Sequence, residues 1–267
     1  MNNQPQLSQS TGSASHAAAD DHSRGPLLTV ILPVYNEEST IHRVLSRVLA
    51  EDYRMQIVVV DDGSTDGTSE QLALWAKHPS VQVLRHATNR GKGNAIRTAL
   101  AVADGEFVII QDADLEYDPA DYLFMIQPLR LGQATVVYGS RYLTSKKWLA
   151  STRERWLLEL GVRLLNMAVW GLFGVRITDE ATCYKAMPKA LLRSLDLQCE
   201  RFEFCPEVTA KLCRLKLPIL EVPISYHPRT TREGKKLRMR DGLAAVQTLW
   251  RWRHWTPATS APASHEN

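Results

Sequence analysis

"MQIVVVDDGSTDGT", residues 55–68, is the stretch that decides the fold. A valine-rich run over 56–60 is apolar at consecutive positions from Ile57 to Val60 instead of alternate ones. That pattern predicts a short strand covered on both faces, as in a parallel sheet. Gly63 and Gly67 supply turn geometry, and Asp66 stands where it can cap a helix beginning near Thr68. The unit is strand, acidic turn, helix.

The same plan recurs on either side. "LLTVILPVY", residues 27–35, runs into "NEEST" and then a helical spacing of Ile41, Val44, Leu45, Val48 and Leu49. "VQVLRHATNRGKGNAIRTALAVA" reads as a third strand, loop and helix, "GEFVIIQDAD" as a fourth strand and "ATVVYGSRY" as a fifth. "LPILEVPISYHP" alternates and carries two internal prolines, which predicts an edge strand. Strands alternating with helices imply an α/β fold with a mostly parallel sheet and helices on both faces. Ligands of such sheets bind outside the carboxyl ends of the strands. Here those ends read "PVYNEE", "DDGSTD" and "QDADLE", each acidic.

The 267 residues carry a net charge of +3, so any basic function must be local. At 44% hydrophobic the composition is that of a globular protein. The four cysteines, Cys183, Cys199, Cys205 and Cys213, form no C-x-x-C pair, which argues against zinc or thioredoxin-type chemistry and for a reducing compartment. Residues 1–25 read as a disordered arm and residues 257–267 as a disordered tail.

The acids in "VIIQDADLEYDP", residues 108–119, have three readings: a solvated turn, a general acid/base pair, or ligands for a hard divalent cation. Asp112 and Asp114 are one residue apart, and in an extended chain side chains i and i+2 share a side. Magnesium or manganese takes one or two carboxylates and leaves its remaining positions to water and phosphates. Acidic turns converging on one sheet edge favour the cation. "NRGKGNA" puts Lys92 between glycines at a helix start, a setting that favours anions, although it is neither a Walker A loop nor a dinucleotide fingerprint.

Two segments concern membranes. "WLLELGVRLLNMAVWGLFGV", residues 156–175, is long enough to span, but Glu159, Arg163 and Asn166 make a polar stripe along it. It predicts a helix packed in a core or lying in a membrane interface. After the basic "RTTREGKKLRMR", residues 241–256 predict an amphipathic helix with Leu243, Val246, Leu249 and Trp250 on one face. Arg251, Trp252, Arg253 and Trp255 follow, a mixture suited to an interface.

The order "PVYNEE", "VVVDDGSTDGT", "NRGKGNA", "QDADLE", "YGSRY", "VPISYHPRTTREGKK" resembles the family 2 glycosyltransferases of the GT-A fold. Within them it is most similar to the polyprenyl-phosphate sugar transferases of the dolichol-phosphate mannosyltransferase type. The resemblance covers roughly residues 27–250 and implies a Rossmann-like, mostly parallel sheet flanked by helices over 26–240. It also implies roles. Pro33, Tyr35 and Glu37 hold the nucleotide, with Val60 and Asp62 beside the base. Asp112 and Asp114, with Ala113 between them, take Mg2+ or Mn2+ and the donor diphosphate, and Glu116 joins the metal ligands at a position where mannosyl members carry glutamine. Lys92 joins the donor-binding candidates from its own setting between glycines at a helix start. Arg141 matches a phosphate-binding arginine. Arg229 and Lys235, with Glu233 between, match an arginine and lysine six residues apart. "TDEATCYKA", residues 178–186, departs from the "D-x-[ST]-G-x-[FY]-[KR]" of the mannosyl members, so the sugar stays open.

The implied reaction moves a sugar with inversion from a nucleotide sugar, GDP- or UDP-linked, to a polyprenyl phosphate, on the cytoplasmic face of a membrane that the enzyme meets peripherally. A lipid phosphate arrives ionised and needs cations more than a base. A hydroxyl acceptor, as in soluble family 2 members, needs a base, and Asp179 or Glu180 then qualifies. A nucleic-acid partner is disfavoured, because the strand-end acids would repel its phosphates.

Overall fold

The computed structural model describes residues 25–143, 153–229 and 239–257. The N-terminal arm before Gly25, the basic loop with Glu233 and Lys235, and the tail from residue 258 lie outside the described residues.

Four strands arrive in the expected places: β1 (Leu28–Val34), β2 (Met55–Asp61), β3 (Val81–Arg85) and β4 (Phe107–Ile110). Their helices follow: α1 (Ile41–Leu49), α2 (Thr68–Trp75), α3 (Lys92–Ala101) and α4 (Tyr122–Arg130). β1 and β2 are buried along nearly their whole length, as strands with helices on both faces must be. Pro33 sits in a central strand without breaking it. β1 pairs with β4 only as far as Ile31 opposite Ile110, so Pro33 lies beyond that ladder.

β5 (Val136–Ser140) does not lie beside β4. A strand absent from the sequence reading, β6 (Lys185–Pro188), runs antiparallel between them, and β7 (Ile219–Pro223) closes the edge parallel to β5. The seven-stranded order is β3-β2-β1-β4-β6-β5-β7. β7 is the edge strand that its prolines predicted. β6 escaped notice because "KAMP" offers four residues beginning with a lysine. That lysine is buried, its ammonium donating to the carbonyls of Glu180 (2.7 Å) and Thr182 (3.0 Å) and lying over the Tyr138 ring.

Helices α5 (Arg153–Phe173), α6 (Lys189–Ser194), α7 (Phe204–Arg214) and α8 (Met239–Trp252) complete the body. Leu165 and Val169 of α5, Ala210 and Cys213 of α7, and Ala245 and Leu249 of α8 form a second core beside the sheet. α8 is therefore docked, and Leu249 faces inward, apart from Leu243, Val246 and Trp250, which are exposed. The polar stripe of α5 divides, and only Arg163 is exposed. Glu159 is buried, and Asn166 donates to Thr178 O (2.6 Å) and accepts from the Glu180 amide (2.9 Å). Leu160, Leu164, Met167 and Trp170 point outward instead. Among the described residues no helix is long and apolar enough to cross a membrane. All four cysteines are free thiols.

Candidate active site

The carboxyl end of β1 and the turn after β2 lock together. Asn36 turns left-handed (φ 51°), its amide donates to Ser64 Oγ (3.0 Å), and its side-chain oxygen accepts from the Thr65 amide (2.8 Å). The Glu37 amide donates to Thr68 Oγ1 (2.9 Å). Its carboxylate Oε2 accepts from Thr40 Oγ1 (2.8 Å) and from Arg229 Nη2 (2.9 Å), an ion pair reaching across to the end of the chain segment after β7. Pro33 and Tyr35 are half-buried beside it, whereas Val60 is fully buried in β2, so its side chain is closed to any base.

Asp62 faces inward more than its expected role beside the base suggests. Its Oδ1 bonds a ring nitrogen of His86 (2.6 Å) and accepts from the Arg90 amide (2.9 Å), and its Oδ2 accepts from the Gly91 amide (2.7 Å). Asp62 thus ties down the loop that carries Lys92. His86 in turn bonds Thr98 of α3 through its other nitrogen (2.9 Å). No spacing in the sequence announced His86.

The start of α3 does not behave as a free anion site. The Gly93 and Asn94 amides, which a helix leaves without internal partners, donate to the carbonyls of Arg201 (2.9 Å) and Glu200 (3.0 Å). What remains for an anion is Lys92 itself. Its ammonium contacts Asp112 Oδ1 and lies 3.7 Å from Cys183 Sγ. Burial works against its charge, but the Asp112 carboxylate and its neighbours outweigh that and raise its pKa.

β4 ends at Ile110, so Asp112 and Asp114 are brought together by a turn, not by strand alternation. Leu115 adopts φ 63°, an uncommon conformation for leucine, and the Glu116 amide bonds back to Asp114 Oδ1 (3.1 Å). The Asp114 carboxyl is pushed up to about 7, first by burial and then by the charges of Asp112 and Glu116. Such an undercompensated pair fits a hard divalent cation, and the Lys92 ammonium already sits as a cation on Asp112. Glu116 does not fit as a third ligand. Its Oε1 accepts from the Arg229 amide (2.8 Å), and its Oε2 accepts from the Tyr226 hydroxyl. Among the described residues no three His, Cys, Asp or Glu side chains are grouped to hold a metal, so a cation here relies on one or two carboxylates, with Ala113 buried between them.

Arg141 is gripped by Asp179. Its Nε and Nη2 donate to the two carboxylate oxygens at 2.7 and 2.6 Å, and its amide donates to Oδ2 (3.0 Å). The guanidinium lies 4.9 Å from the ring centroid of Tyr226. Asp179 is 0% exposed, and the Thr178 and Asp179 amides are fixed by Glu221 of β7. This geometry makes Asp179 a positioning residue for Arg141 and leaves it no path to an acceptor hydroxyl. Glu180 is equally buried, and burial raises its carboxyl pKa, so it too is no accessible base. Tyr226, unread in the sequence, joins Glu116 to Arg141. Arg229 Nε donates to the Asp114 carbonyl (2.5 Å), which places it against the acidic turn.

A mostly parallel sheet flanked by helices, with acids and cations at its strand ends, is the architecture of the GT-A class. The chain belongs to the Glycosyl transferase family 2, whose sequence model matches residues 29–195. It is 29% identical to the undecaprenyl-phosphate mannosyltransferase of Micrococcus luteus over 231 residues, 83% of this chain and 92% of that one. It is also 29% identical to the UDP-N-acetylglucosamine–dolichyl-phosphate N-acetylglucosaminyltransferase of Methanococcus voltae, over 74% of this chain and 84% of the relative. The fold matches glucosyl-3-phosphoglycerate synthase of Mycobacterium tuberculosis, solved with Mn2+, UDP-glucose and glycerol 3-phosphate. That match has a TM-score of 0.65 and 21% identity, covering 92% of this chain and 86% of the other.

Proposed function

We propose that the chain transfers a sugar from a nucleotide-sugar donor to a polyprenyl phosphate, with inversion, at a membrane surface. The observation that carries the reading is the meeting of Lys92, Asp112, Asp114 and Arg229 at the carboxyl ends of β1, β2 and β4. Asp112 and Asp114 would hold Mg2+ or Mn2+, which when bound neutralises charge developing on the leaving diphosphate. Lys92 faces the same side and contributes a fixed positive charge. Arg141, held by Asp179 and stacked on Tyr226, and Arg229 and Lys235 supply cations for phosphate oxygens. An acceptor already ionised needs no base, in keeping with the burial of Asp179 and Glu180. Relatives named as polyprenyl-phosphate transferases support the acceptor class. Screening UDP- and GDP-sugars with polyprenyl phosphate, with and without EDTA, tests the reading; transfer undiminished by EDTA would remove the metal from it.

Arg229→Ala and Lys235→Ala should each slow transfer about ten- to a hundredfold, since a charge-assisted hydrogen bond is worth roughly 1.5–3 kcal/mol. Steady-state rates at parental speed in both variants would reduce the basic loop to solvated surface.

The outward stripes of α5 and α8 support the membrane side of the proposal. Arg176 lies 5.3 Å from the Trp170 ring centroid and Arg253 lies 3.7 Å from that of Trp250, pairing aromatic and cation as an anionic interface favours. Binding to anionic liposomes should be reversible and weaken with salt, because screening shortens the reach of the arginines. Flotation assays check this. A protein that ignores anionic liposomes at low salt would point to a soluble phosphate-bearing or hydroxyl acceptor, a second reading favoured by the fold likeness to a phosphoglycerate-glycosylating enzyme.

A further inference from the structure

We propose that Glu207 and Lys211 of α7 are positioning residues for the donor diphosphate, acting through the segment 198–201 on which Lys92 is seated; the proposal rests on the donor reading above. Both side chains are almost wholly buried, at 1% and 0% exposure, and neither touches the strand-end acids. A buried ion pair adds little over apolar side chains of the same size, so stability alone gives no reason for it. Its geometry does. Glu207 Oε1 accepts from the Gln198 amide (2.8 Å) and Oε2 from the Cys199 amide (2.6 Å), two successive N–H groups in a stretch with no regular structure to pair them. Lys211 donates to Glu207 Oε1 (2.6 Å) and to the Asp196 carbonyl (2.8 Å). One carboxylate and one ammonium therefore set the course of residues 196–199.

The next two residues are the floor of α3. The Glu200 and Arg201 carbonyls receive the Asn94 and Gly93 amides. The approach is close enough that a Cβ on Gly93 would meet the Cys199 carbonyl at 2.8 Å, and one on Gly91 would meet Glu200 O at 2.4 Å. Lys92 stands between these glycines, and its ammonium reaches Asp112. A shift of the floor thus moves the one cation that α3 presents to the donor side. The chain of contacts also extends the other way. Lys211 lies over the Trp252 ring, 4.0 Å from its centroid, and 5.3 Å from that of Trp255, and Arg214 Nε donates to the Trp255 carbonyl (3.1 Å). The end of α8, whose other face carries the outward stripe, covers the buried pair and so bears on how firmly Lys92 is held.

Two measurements on the full chain test this. Glu207→Gln keeps the size but can accept at one atom only. Hydrogen exchange should show the Gly93 and Asn94 amides at least tenfold less protected in that variant, with the β1 and β2 amides unchanged; Lys211→Met and Trp252→Leu should do the same more weakly. Unaltered protection at Gly93 and Asn94 overturns the proposal. The second measurement is a double-mutant cycle on binding of UDP and of GDP, each with Mn2+. Glu207→Gln should weaken binding of the preferred nucleotide at least tenfold in the parent but less than twofold in Lys92→Ala, because the effect runs through Lys92. Fold-losses that simply multiply would mean two independent sites and overturn it. If the parent binds neither nucleotide, the donor reading itself fails, and that failure is distinct because it precedes any comparison of variants.

Discussion

Asp114→Ala should abolish sugar transfer, by at least about a hundredfold, while the protein stays folded. The carboxylate sits in a turn where burial and the charges of Asp112 and Glu116 push it up to about 7. It carries its negative charge at a cost that a bound cation would repay with several kcal/mol of transition-state stabilisation, and each 1.36 kcal/mol is a factor of ten in rate. The same electrostatics fix the sign of a pH effect. An acid whose folded pKa lies above its ordinary value of 3.8 lends stability that is full below that value and is lost as pH rises through about 7. Without metal, the parent should therefore lose stability across that window, and Asp114→Ala should lose less. Thermal melts at pH 5 and pH 8, with and without Mn2+, check this. Mn2+ should raise the Tm of the parent at pH 8 and leave that of the variant unmoved. Parental turnover in Asp114→Ala at saturating donor would sink the metal site.

Asp179→Ala should cost both stability and activity. It leaves the Arg141 guanidinium, drawn into a buried fork, without its partner. Breaking a buried pair from one side costs about 3–5 kcal/mol. Urea denaturation should show a lowered midpoint at unchanged slope, and transfer should fall with it. Arg141→Met combined with Asp179→Leu separates the two losses. Removing both charges should restore much of the stability, yet transfer should stay lost if Arg141 holds a phosphate. Recovery of transfer in the double variant would make the pair merely structural.

Much of the candidate site is legible in the sequence. The acidic strand ends, Lys92 between its glycines, and the edge character of β7 all follow from short-range chemistry. What was not legible depends on distant partners. Alternation placed Asp112 and Asp114 on one side of a strand, but the strand ends at Ile110 and a left-handed Leu115 makes the turn instead. Glu116 reads as a third metal ligand until Tyr226 and the Arg229 amide, more than a hundred residues away, claim it. The stripe of α5 leaves core packing and a membrane interface both open in the sequence, and the partner of Asn166, the 178–180 backbone, appears only in the fold. β6 was hidden because a lysine opens it and only Tyr138 and two carbonyls explain how that lysine is buried.

The place of β6 also sets the order in which the sheet can be finished. β4 is apolar on both faces, and its far edge pairs only with residues 186–188. On a ribosome the first four strands emerge in succession and can pair among themselves, but the far edge of β4 must wait for a partner synthesised some 75 residues later. At roughly 5–20 residues per second that interval is several seconds. For that time an unpaired, fully apolar edge faces solvent or a chaperone, the kind of edge that recruits other chains. Slowing translation after β4 has left the ribosome and before β6 has should therefore raise aggregation of the nascent chain, whereas a pause once β6 has emerged should not.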